Sequence, residues 1–447
     1  MPSVKVASGF KSMNQDFIIT EDLWSIRENE GVEYQLNCIY KLREDALRDR
    51  VLISARKKLG DDINISDFNK LAFEENGLLC GILQLKMIKR KSIISNLEIE
   101  EDNLVIEENN DYMENIEKSE KDVLNLVTKD LVVQLKGIDK YEYCHGIVVG
   151  IYGCKHKGEQ MFQVKHVFFP EPAPQRPRTP AVKETYICFI SDLKFSDNTP
   201  FEKKNYLNFL TTCFFKDNEY LPDPVKKIFF NTERIIITGG NFDDSEFYKR
   251  SYNILDLKEP LISHEQLTDA DSYFSCLSKL VPVHLMSGIC DLGSGSWPIQ
   301  PPYRKVFTKS CKLEEDFLLT TNPTLFEVNG VTYLGTSGDN ITDILRTKEN
   351  SSSLDAMEQI LTYQHLSPTA PDHMSIYVNN VVDQMVLNTT PHVFFCGGQK
   401  EFGRKTVNIG DYKVLLLSIP SFCETNTITF INTKTLECFP YTLNLCV

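Results

Sequence analysis

The sequence predicts two folded domains of the α+β and α/β classes, a small β-barrel of the OB type followed by a layered α/β domain. A helical pattern and then several short strand-like segments occupy the first part of the chain. In the second part, strands alternate with helices, as in layered α/β folds. The segment PEPAPQRPRTP (170–180) separates the two parts with five prolines in eleven residues, which predicts a stiff linker.

These patterns set the expected boundaries. The OB-type domain is predicted at residues 35–169 and the α/β domain at 185–447, with an N-terminal arm at 1–34 and the proline-rich linker at 170–184. An insertion is predicted at about 98–125, because eleven acidic and only two basic residues fall in its first twenty-five positions. Like charges repel and few residues there can form a core, so this stretch indicates a solvated or partly disordered loop.

The elements of the first domain follow from apolar spacing. A helix is predicted at 36–58, where apolar residues recur at helical intervals. Strands are predicted from short apolar and β-branched runs bounded by turn residues. These runs are 78–88, 132–138, 146–153 and 161–169.

The second domain begins with a buried strand and then alternates. Its predicted elements are a strand at 186–191, a helix near 202–215, a strand at 234–239, a helix near 264–280 that begins after Ser263, a strand at 281–288, a helix at 352–363 and strands within HVFFCG, KVLLLSIP and ITFINT. Asn329-Gly330 lies between two apolar runs, and this dipeptide favours the type I′ turn of a hairpin.

Composition argues against several classes of function. Asp and Glu outnumber Lys and Arg by 62 to 48, for a net charge of -14, whereas proteins that hold DNA through its phosphates carry basic excess. No apolar run is long enough for a membrane span, and no signal peptide pattern opens the chain. The thirteen cysteines include no CxxC pair, which argues against a zinc or iron–sulfur cofactor and for a reducing compartment.

Loops rich in Gly, Asp and Asn follow four of the predicted strands, where α/β folds form their ligand crevice. They are Ser191–Lys194, Gly239–Asp244, Ser287–Asp291 and Cys396–Lys400. Their order and strand context resemble the calcineurin-like metallophosphoesterases. In that family, D-x-H, G-D-x-x-D, G-N-H-[DE], a separate His and G-H-x-H hold two metals and activate a bridging water. The resemblance implies a layered calcineurin-like fold for the second domain.

Most of the metal-binding side chains of that pattern are replaced. The replacements are Lys194 for the first His, Asn241 for the bridging Asp, Ile289 and Cys290 for the Asn and His of the third motif, and Gly398 and Lys400 for both imidazoles of the last. A dinuclear site requires a bridging carboxylate and several neutral imidazoles. We therefore expect an inactivated site with no catalytic and no metal-binding residues.

Three positions of the family pattern survive, at Asp192, Asp291 and His365. Three groups are too few for two metals, although they could hold a single weakly bound ion. The simpler interpretation is structural: the two aspartates cap loops, and His365 packs with a hydrogen bond.

A closer resemblance is to the B subunits of eukaryotic DNA polymerases, and within them to the delta small-subunit family. It rests on KDLVVQLKGI (129–138), GIVVGIYG (146–153), PEPAPQRP (170–177), PVHLMSGICD (282–291), YLGTSGDNITDI (333–344), HLSPTAPD (365–372) and PHVFFCGG (391–398). The resemblance implies a non-catalytic nuclear scaffold without cofactors. It would join the cysteine-rich C-terminal module of the polymerase catalytic subunit to a third, clamp-recruiting subunit, and would contact DNA only through the complex.

Two other functions stay open at this point. One is a manganese-dependent phosphodiesterase with a reduced site, which would use Asp192, Asn241, Asp291 and His365. The other is a single-stranded DNA-binding protein, in which aromatic side chains of the barrel stack on bases. The aromatic candidates are Tyr141, Tyr143, Tyr152 and Phe162.

Overall fold

The structure is a computed structural model, and the fold is described for the residues whose placement it defines. These residues are 17–19, 24, 38–87, 118–129, 131–156, 160–179, 181–197, 199–215, 218, 220–243, 262–346, 348, 351–377, 379 and 381–445.

Strands make up most of the regular structure. In chain order they are β1 (Phe17–Ile19), β2 (Asn76–Lys86), β3 (Val123–Val127), β4 (Val132–Lys136), β5 (Val148–Lys155), β6 (Met161–Phe168), β7 (Tyr186–Ile190), β8 (Thr232–Thr238), β9 (Val283–Met286), β10 (Phe317–Thr320), β11 (Thr324–Val328), β12 (Val331–Thr336), β13 (Val393–Gln399), β14 (Gly403–Ile409), β15 (Tyr412–Pro420), β16 (Thr427–Asn432) and β17 (Cys438–Thr442). The helices are α1 (Cys38–Leu59), α2 (Phe201–Cys213), α3 (Asp223–Phe230), α4 (His264–Ser278), α5 (Asp339–Leu345), α6 (Ser353–Tyr363) and α7 (Phe422–Thr425), with 3-10 turns at Arg304–Val306 and Ser310–Asp316.

The chain divides into two compact units, and the first contains the barrel. This barrel unit comprises Glu30–Pro174 and Asn340–Asn388. Its strands close in the order β2-β3-β4-β6-β5, and all neighbours are antiparallel except the parallel pair β4 and β6. The predicted OB-type barrel is therefore present.

Helix α1 packs on the outside of the barrel because one of its stripes is apolar. Leu47, Val51 and Ala55 recur at every fourth position and are fully buried. They contact barrel residues such as Cys80 and Val148 in shared apolar clusters. The predicted helix at 36–58 is thus confirmed.

The second unit, here the α/β unit, comprises Met1–Asn29, Gln175–Asp339 and Thr389–Val447. It contains two six-stranded sheets. The first sheet has the order β1-β11-β12-β13-β15-β14, and the second has the order β10-β9-β8-β7-β16-β17. The two sheets share an apolar core, in which the rings of Phe189 and Phe395 lie 4.7 Å apart between centroids. Helices α2, α3 and α4 pack on the other face of the second sheet, which completes a layered arrangement.

Strand direction places the loops of interest on one edge. Strands β7, β8, β9 and β10 run parallel to one another, as do β12, β13 and β15. The carboxyl ends of β7, β8 and β9 therefore lie side by side, and the loops that follow them meet there.

The units differ from the boundaries that the sequence predicts. Residues 340–388, which the sequence places in the α/β domain, are grouped with the barrel, and the described residues of the N-terminal arm up to 29 are grouped with the α/β unit. The reason for the first difference is a buried cation: the Arg43 guanidinium of α1 donates to Pro368 O at 2.7 Å and to Asp383 at 2.8 Å.

The acidic insertion is shorter at its carboxyl end than predicted. Strand β3 begins at Val123, inside the range 98–125, and pairs with both β2 and β4. The part of the insertion at 98–117 lies outside the described residues.

The cysteines and the helices of the described part of the chain agree with what the composition indicates. The twelve described cysteines are free thiols, and several of them are fully buried, as expected for small apolar side chains. No helix within the described ranges has both the length and the apolar character that a bilayer crossing requires.

Candidate functional site

The candidate site lies where the loops after β7, β8 and β9 converge with the carboxyl end of β13 in the α/β unit. The predicted loop Cys396–Lys400 is wrong in part, because β13 continues to Gln399. Asp192 N donates to Gly239 O at 2.9 Å, and Lys194 N donates to Gly240 O at 2.9 Å. Gly398 N donates to the Ser191 hydroxyl at 2.7 Å. The structure thus brings together the loops that the sequence singled out.

Glycine is required at one of these contacts. Gly240 has φ +66°, and a Cβ there would collide with the Asp192 carboxylate. Asp192 and Lys194 themselves have φ values of 55° and 45°, in the left-handed region that side chains rarely adopt. The loop after β7 therefore holds local backbone strain, which is common where a fold carries or once carried a site.

Asp291 is the hub of the converging loops. Its Oδ1 accepts hydrogen bonds from Asn241 N at 2.7 Å and Phe242 N at 3.0 Å. Its Oδ2 accepts from Gly288 N at 2.8 Å and from the Asn241 side-chain amide at 2.8 Å. All four donors are N–H groups, so Asp291 acts as a loop cap and the capping role predicted for it is confirmed.

The electrostatics of Asp291 follow from two opposed causes. Desolvation raises the pKa of Asp291 to about 7, and the N–H groups of Gly288, Phe242 and Asn241 act in the opposite direction by stabilising the carboxylate. The Asn241 side-chain amide donates a hydrogen bond to the same carboxylate and also favours its charged form.

Asn241 itself is fully engaged on its donor side. Its Nδ2 also donates to Met286 O at 3.1 Å, and the side chain is 1% exposed. The family pattern places a bridging aspartate at this position. An aspartate has no N–H group, so its oxygens would face two other hydrogen-bond acceptors, the Met286 carbonyl and the Asp291 carboxylate. The local structure therefore favours an amide over a carboxylate at this position.

The remaining replaced positions of the pattern differ in exposure. Ile289 and Cys290 are half-buried in the turn that follows β9, whereas Gly398, near the end of β13, and Lys400, just after it, are exposed. Lys194 is half-buried, and its carbonyl accepts a hydrogen bond from Lys203 Nζ at 2.6 Å. None of these five residues supplies the imidazole, or at Ile289 the amide oxygen, that the pattern requires at its position.

His365 is found in the barrel unit. Its Nε2 lies 2.9 Å from Asp383 Oδ2, and its Nδ1 accepts from Ser367 N at 3.2 Å. Burial and the nearby Arg43 lower the pKa of His365 to about 4, so the ring is neutral at physiological pH. The predicted packing of His365 with a hydrogen bond is confirmed.

Sequence reasoning missed Arg43 and Asp383, which organise the barrel unit. Arg43 is fully buried, and besides Asp383 and Pro368 O its guanidinium donates to Gly146 O and Ala370 O, each at 2.8 Å. Burial raises the pKa of Asp383, but His365 and Arg43 outweigh it and hold that pKa below its usual range. A signal was available: Arg43 lies on the apolar stripe between Ile39 and Leu47, where a cation indicates a buried partner.

The aromatic residues proposed for base stacking do not form one exposed surface. Phe162 is fully buried, and Tyr143 packs against the ring of Phe169. The Tyr141 hydroxyl is bonded to Asp122 at 2.5 Å, and Tyr152 stacks on His166 with centroids 6.4 Å apart. The availability of Phe162 for stacking on bases is therefore a wrong prediction, because that residue fills the barrel interior.

The described residues contain no group of three or more His, Cys, Asp or Glu side chains arranged to hold a metal ion. At the converging loops, this absence follows from the replaced residue types and from the hydrogen bond between Asn241 and Asp291. The residues present do not fit a dinuclear metal centre.

Comparison with known proteins places the chain among DNA polymerase subunits. The family model described as DNA polymerase delta subunit OB-fold domain matches residues 35–167, and the model for the B subunit of DNA polymerases alpha and epsilon matches residues 187–404. A probable DNA polymerase delta small subunit of Caenorhabditis elegans is 25% identical over 446 residues, which cover 96% of each chain. The chain belongs to the family of DNA polymerase delta small subunits.

Further relatives have the same description. The DNA polymerase delta small subunit of Saccharomyces cerevisiae is 30% identical over 326 residues, covering 65% of this chain and 64% of that one. That of Arabidopsis thaliana is 33% identical over 207 residues, or 46% of each. These matches confirm the family resemblance and the OB fold of the barrel. An archaeal phosphodiesterase structure aligns with 58% of this chain and 100% of its own at 14% identity and a TM-score of 0.31.

Proposed function

We propose that the chain is a non-catalytic scaffold subunit of DNA polymerase delta, built on an inactivated calcineurin-like phosphoesterase fold. Family membership supports the role of an accessory small subunit of that polymerase. The finer role is to join the polymerase catalytic subunit, through its cysteine-rich C-terminal module, to a third subunit that recruits the clamp. A replicative role of this kind is exercised in the nucleus, with DNA contacted only through the complex.

The observation that carries the proposal is the bonding of Asp291. This carboxylate accepts four N–H donors, one of them the Asn241 side chain. A carboxylate saturated in this way has no free oxygen to offer a metal without breaking bonds within the fold. The positions Asp192, Lys194, Asn241, Ile289, Cys290, Asp291, His365, Gly398 and Lys400 are accordingly proposed as vestiges of the family pattern.

Assembly tests the scaffold role. Co-expression of the full chain with a polymerase delta catalytic subunit is expected to yield a stable complex that survives size-exclusion chromatography. Addition of the third subunit should give a ternary complex only when this chain is present. Recovery of the catalytic and third subunits as a complex without this chain would contradict the bridging role.

A separate assay tests the loss of phosphoesterase chemistry. The purified chain with manganese and a chromogenic phosphodiester is expected to show the background rate, and Asp192→Ala is expected to leave that rate unchanged. Turnover above background that disappears in Asp192→Ala would instead support the reduced phosphodiesterase. Arg404→Ala, which changes a side chain outside the converging loops, serves as the matched control for general effects of substitution.

A further inference from the structure

The two sheets of the α/β unit end in four edge strands, and three of them are short or interrupted. β1 has three residues, β10 has four, and β17 carries Pro440 at its centre. Natural proteins shorten or interrupt edge strands in this way to prevent unwanted pairing. β14 differs: it spans seven residues, GRKTVNI, without a proline, and it pairs with β15 in unbroken register.

The hairpin geometry shows which backbone groups of β14 point away from the sheet. Ile409 and Tyr412 flank a two-residue turn, Gly410-Asp411, in which Gly410 has φ +57°. The pair that flanks such a turn is hydrogen-bonded, and bonded and non-bonded pairs alternate along an antiparallel ladder. Ile409, Val407 and Lys405 therefore bond to β15.

The N–H and C=O groups of Thr406 and Asn408 consequently face outward. No described residue makes a hydrogen bond to these outward groups. The side chains of both residues are exposed, so nothing in the described part of the chain covers this edge. Two outward residues with Arg404 as a third give an edge long enough for a short added strand.

The edge is held in place on both faces of the sheet. Val407 and Ile409 are buried on one face, and on the other face Arg404 Nη1 donates to Cys438 O of β17 at 2.8 Å. An added strand would therefore meet a preformed template and would not have to order β14 itself, which lowers the entropic cost of binding.

We propose that β14 is a docking edge that accepts an extended, acidic segment of another polymerase delta subunit as an added strand. This inference rests on the proposed function, since it assigns one surface to the assembly. Outward amide and carbonyl groups select a partner in extended conformation, because only a strand satisfies them in series. The first sheet already takes up such a segment at its opposite edge, where β1 pairs with β11 although the two lie some 300 residues apart in sequence.

Charge selects an acidic partner. The hairpin Gly403–Pro420 carries Arg404, Lys405 and Lys413 but only one carboxylate, Asp411, in a chain of net charge -14. Lys413 is exposed and lies directly opposite Asn408 in the ladder. A second copy of the chain is disfavoured as the occupant, because two molecules of this net charge repel each other.

Proline substitution tests the edge without touching the bonds to β15. Thr406→Pro removes one outward N–H and blocks the approach of another strand, while Thr406→Val keeps the amide and serves as the matched control. With the polymerase delta catalytic and third subunits mixed with the full chain, we expect Thr406→Pro to weaken assembly at least tenfold and Thr406→Val to change it less than twofold. Lys413→Glu should weaken assembly less than Thr406→Pro and more than Thr406→Val. Its effect should become smaller at high salt, because salt screens the charge interaction.

A measurement on the unaltered chain gives a second, independent test if Thr406→Pro does not fold. Hydrogen exchange of the Thr406 and Asn408 amides is expected to slow at least tenfold on assembly, while the Lys405 and Val407 amides, already bonded to β15, change little. Equal exchange in the free and assembled chain, or normal assembly of a folded Thr406→Pro variant, overturns the docking edge and leaves the scaffold role intact.

Two further outcomes are decisive. Failure of the unaltered chain to assemble at all overturns the scaffold role and this inference with it. Concentration-dependent dimerisation of the isolated chain that Thr406→Pro abolishes would assign the edge to a second copy, which contradicts an acidic partner strand.

Discussion

Asp291 illustrates how a single carboxylate holds two loops of the α/β unit together. Its oxygens bind backbone N–H groups of residues 241, 242 and 288, which follow two neighbouring parallel strands. Removal of the carboxylate would leave these donors without an acceptor in a partly buried region, and unsatisfied donors of this kind are costly.

Asp291→Ala is therefore expected to destabilise the protein by about 2–4 kcal/mol, because several donors lose their acceptor at once. Urea unfolding monitored by tryptophan fluorescence measures this change. Asp411→Ala, in the exposed turn between β14 and β15, is the matched control and should leave the unfolding midpoint unchanged. Equal midpoints for the two variants would contradict the capping role of Asp291.

A second prediction at this scale concerns pH. The folded state lowers the pKa of His365 to about 4 from its usual 6.5, so the unfolded chain binds more protons between these values. The contribution of His365 to the free energy of unfolding is therefore present above pH 6.5 and is lost as the pH falls toward 4. The loss is about 2 kcal/mol between pH 6.5 and 5. His365→Gln should flatten the pH dependence of unfolding in that window, whereas His264→Gln on the exposed face of α4 should not.

At the scale of elements, the hairpin between β11 and β12 shows how local sequence fixes a turn. Asn329 and Gly330 have φ values of 52° and 73°, as a type I′ turn requires, so the predicted hairpin is confirmed. Gly330→Ala should cost about 1–2 kcal/mol, because alanine resists this conformation and its Cβ would crowd Thr179. Asn329→Gly keeps the turn conformation and should change the thermal midpoint much less in calorimetry.

Elements with a strong apolar period could be predicted from sequence, and elements without one could not. Helix α1 spans Cys38–Leu59 against a predicted 36–58, and Ser263 caps α4 with a capping box, as the predicted start implies. Strands β1, β3, β10, β14 and β17 were missed. The first half of β14 is polar and largely exposed, and β17 contains a proline. Both segments are strands because they pair with neighbouring strands, and not because of their own residue pattern.

The same limit applies to the candidate site. Three of the four loops could be located because each follows an apolar strand, and the replacement of the residue types in the family pattern could be read from the sequence alone. The hydrogen bond between Asn241 and Asp291 could not be predicted, because it joins residues fifty positions apart. The boundary between domains at 170–184 stays a prediction, since the compact units of the fold divide the chain differently.

At the scale of the whole molecule, the Arg43 network explains why residues 340–388 belong with the barrel. Arg43→Met would leave the Asp383 carboxylate buried without its guanidinium partner, and loss of one member of a buried ion pair typically costs about 3–5 kcal/mol. We expect Arg43→Met to expose residues 340–388 to limited proteolysis, detected as new cleavage sites by mass spectrometry. Arg48→Met, which removes a more exposed cation from the same helix, is the matched control. Unchanged cleavage in Arg43→Met would contradict the anchoring role.

The separation of Arg43 from Asp383 has a consequence for biosynthesis. The two residues are 340 positions apart, so α1 leaves the ribosome long before its counter-ion has been translated. During that interval the nascent chain carries an apolar helix face with an unneutralised guanidinium in its middle, and such intermediates are prone to aggregate. Completion of the barrel unit must therefore wait until translation has passed residue 383. Ribosome-bound chains stalled before that codon should remain protease-sensitive around α1, and chains stalled well beyond it should not.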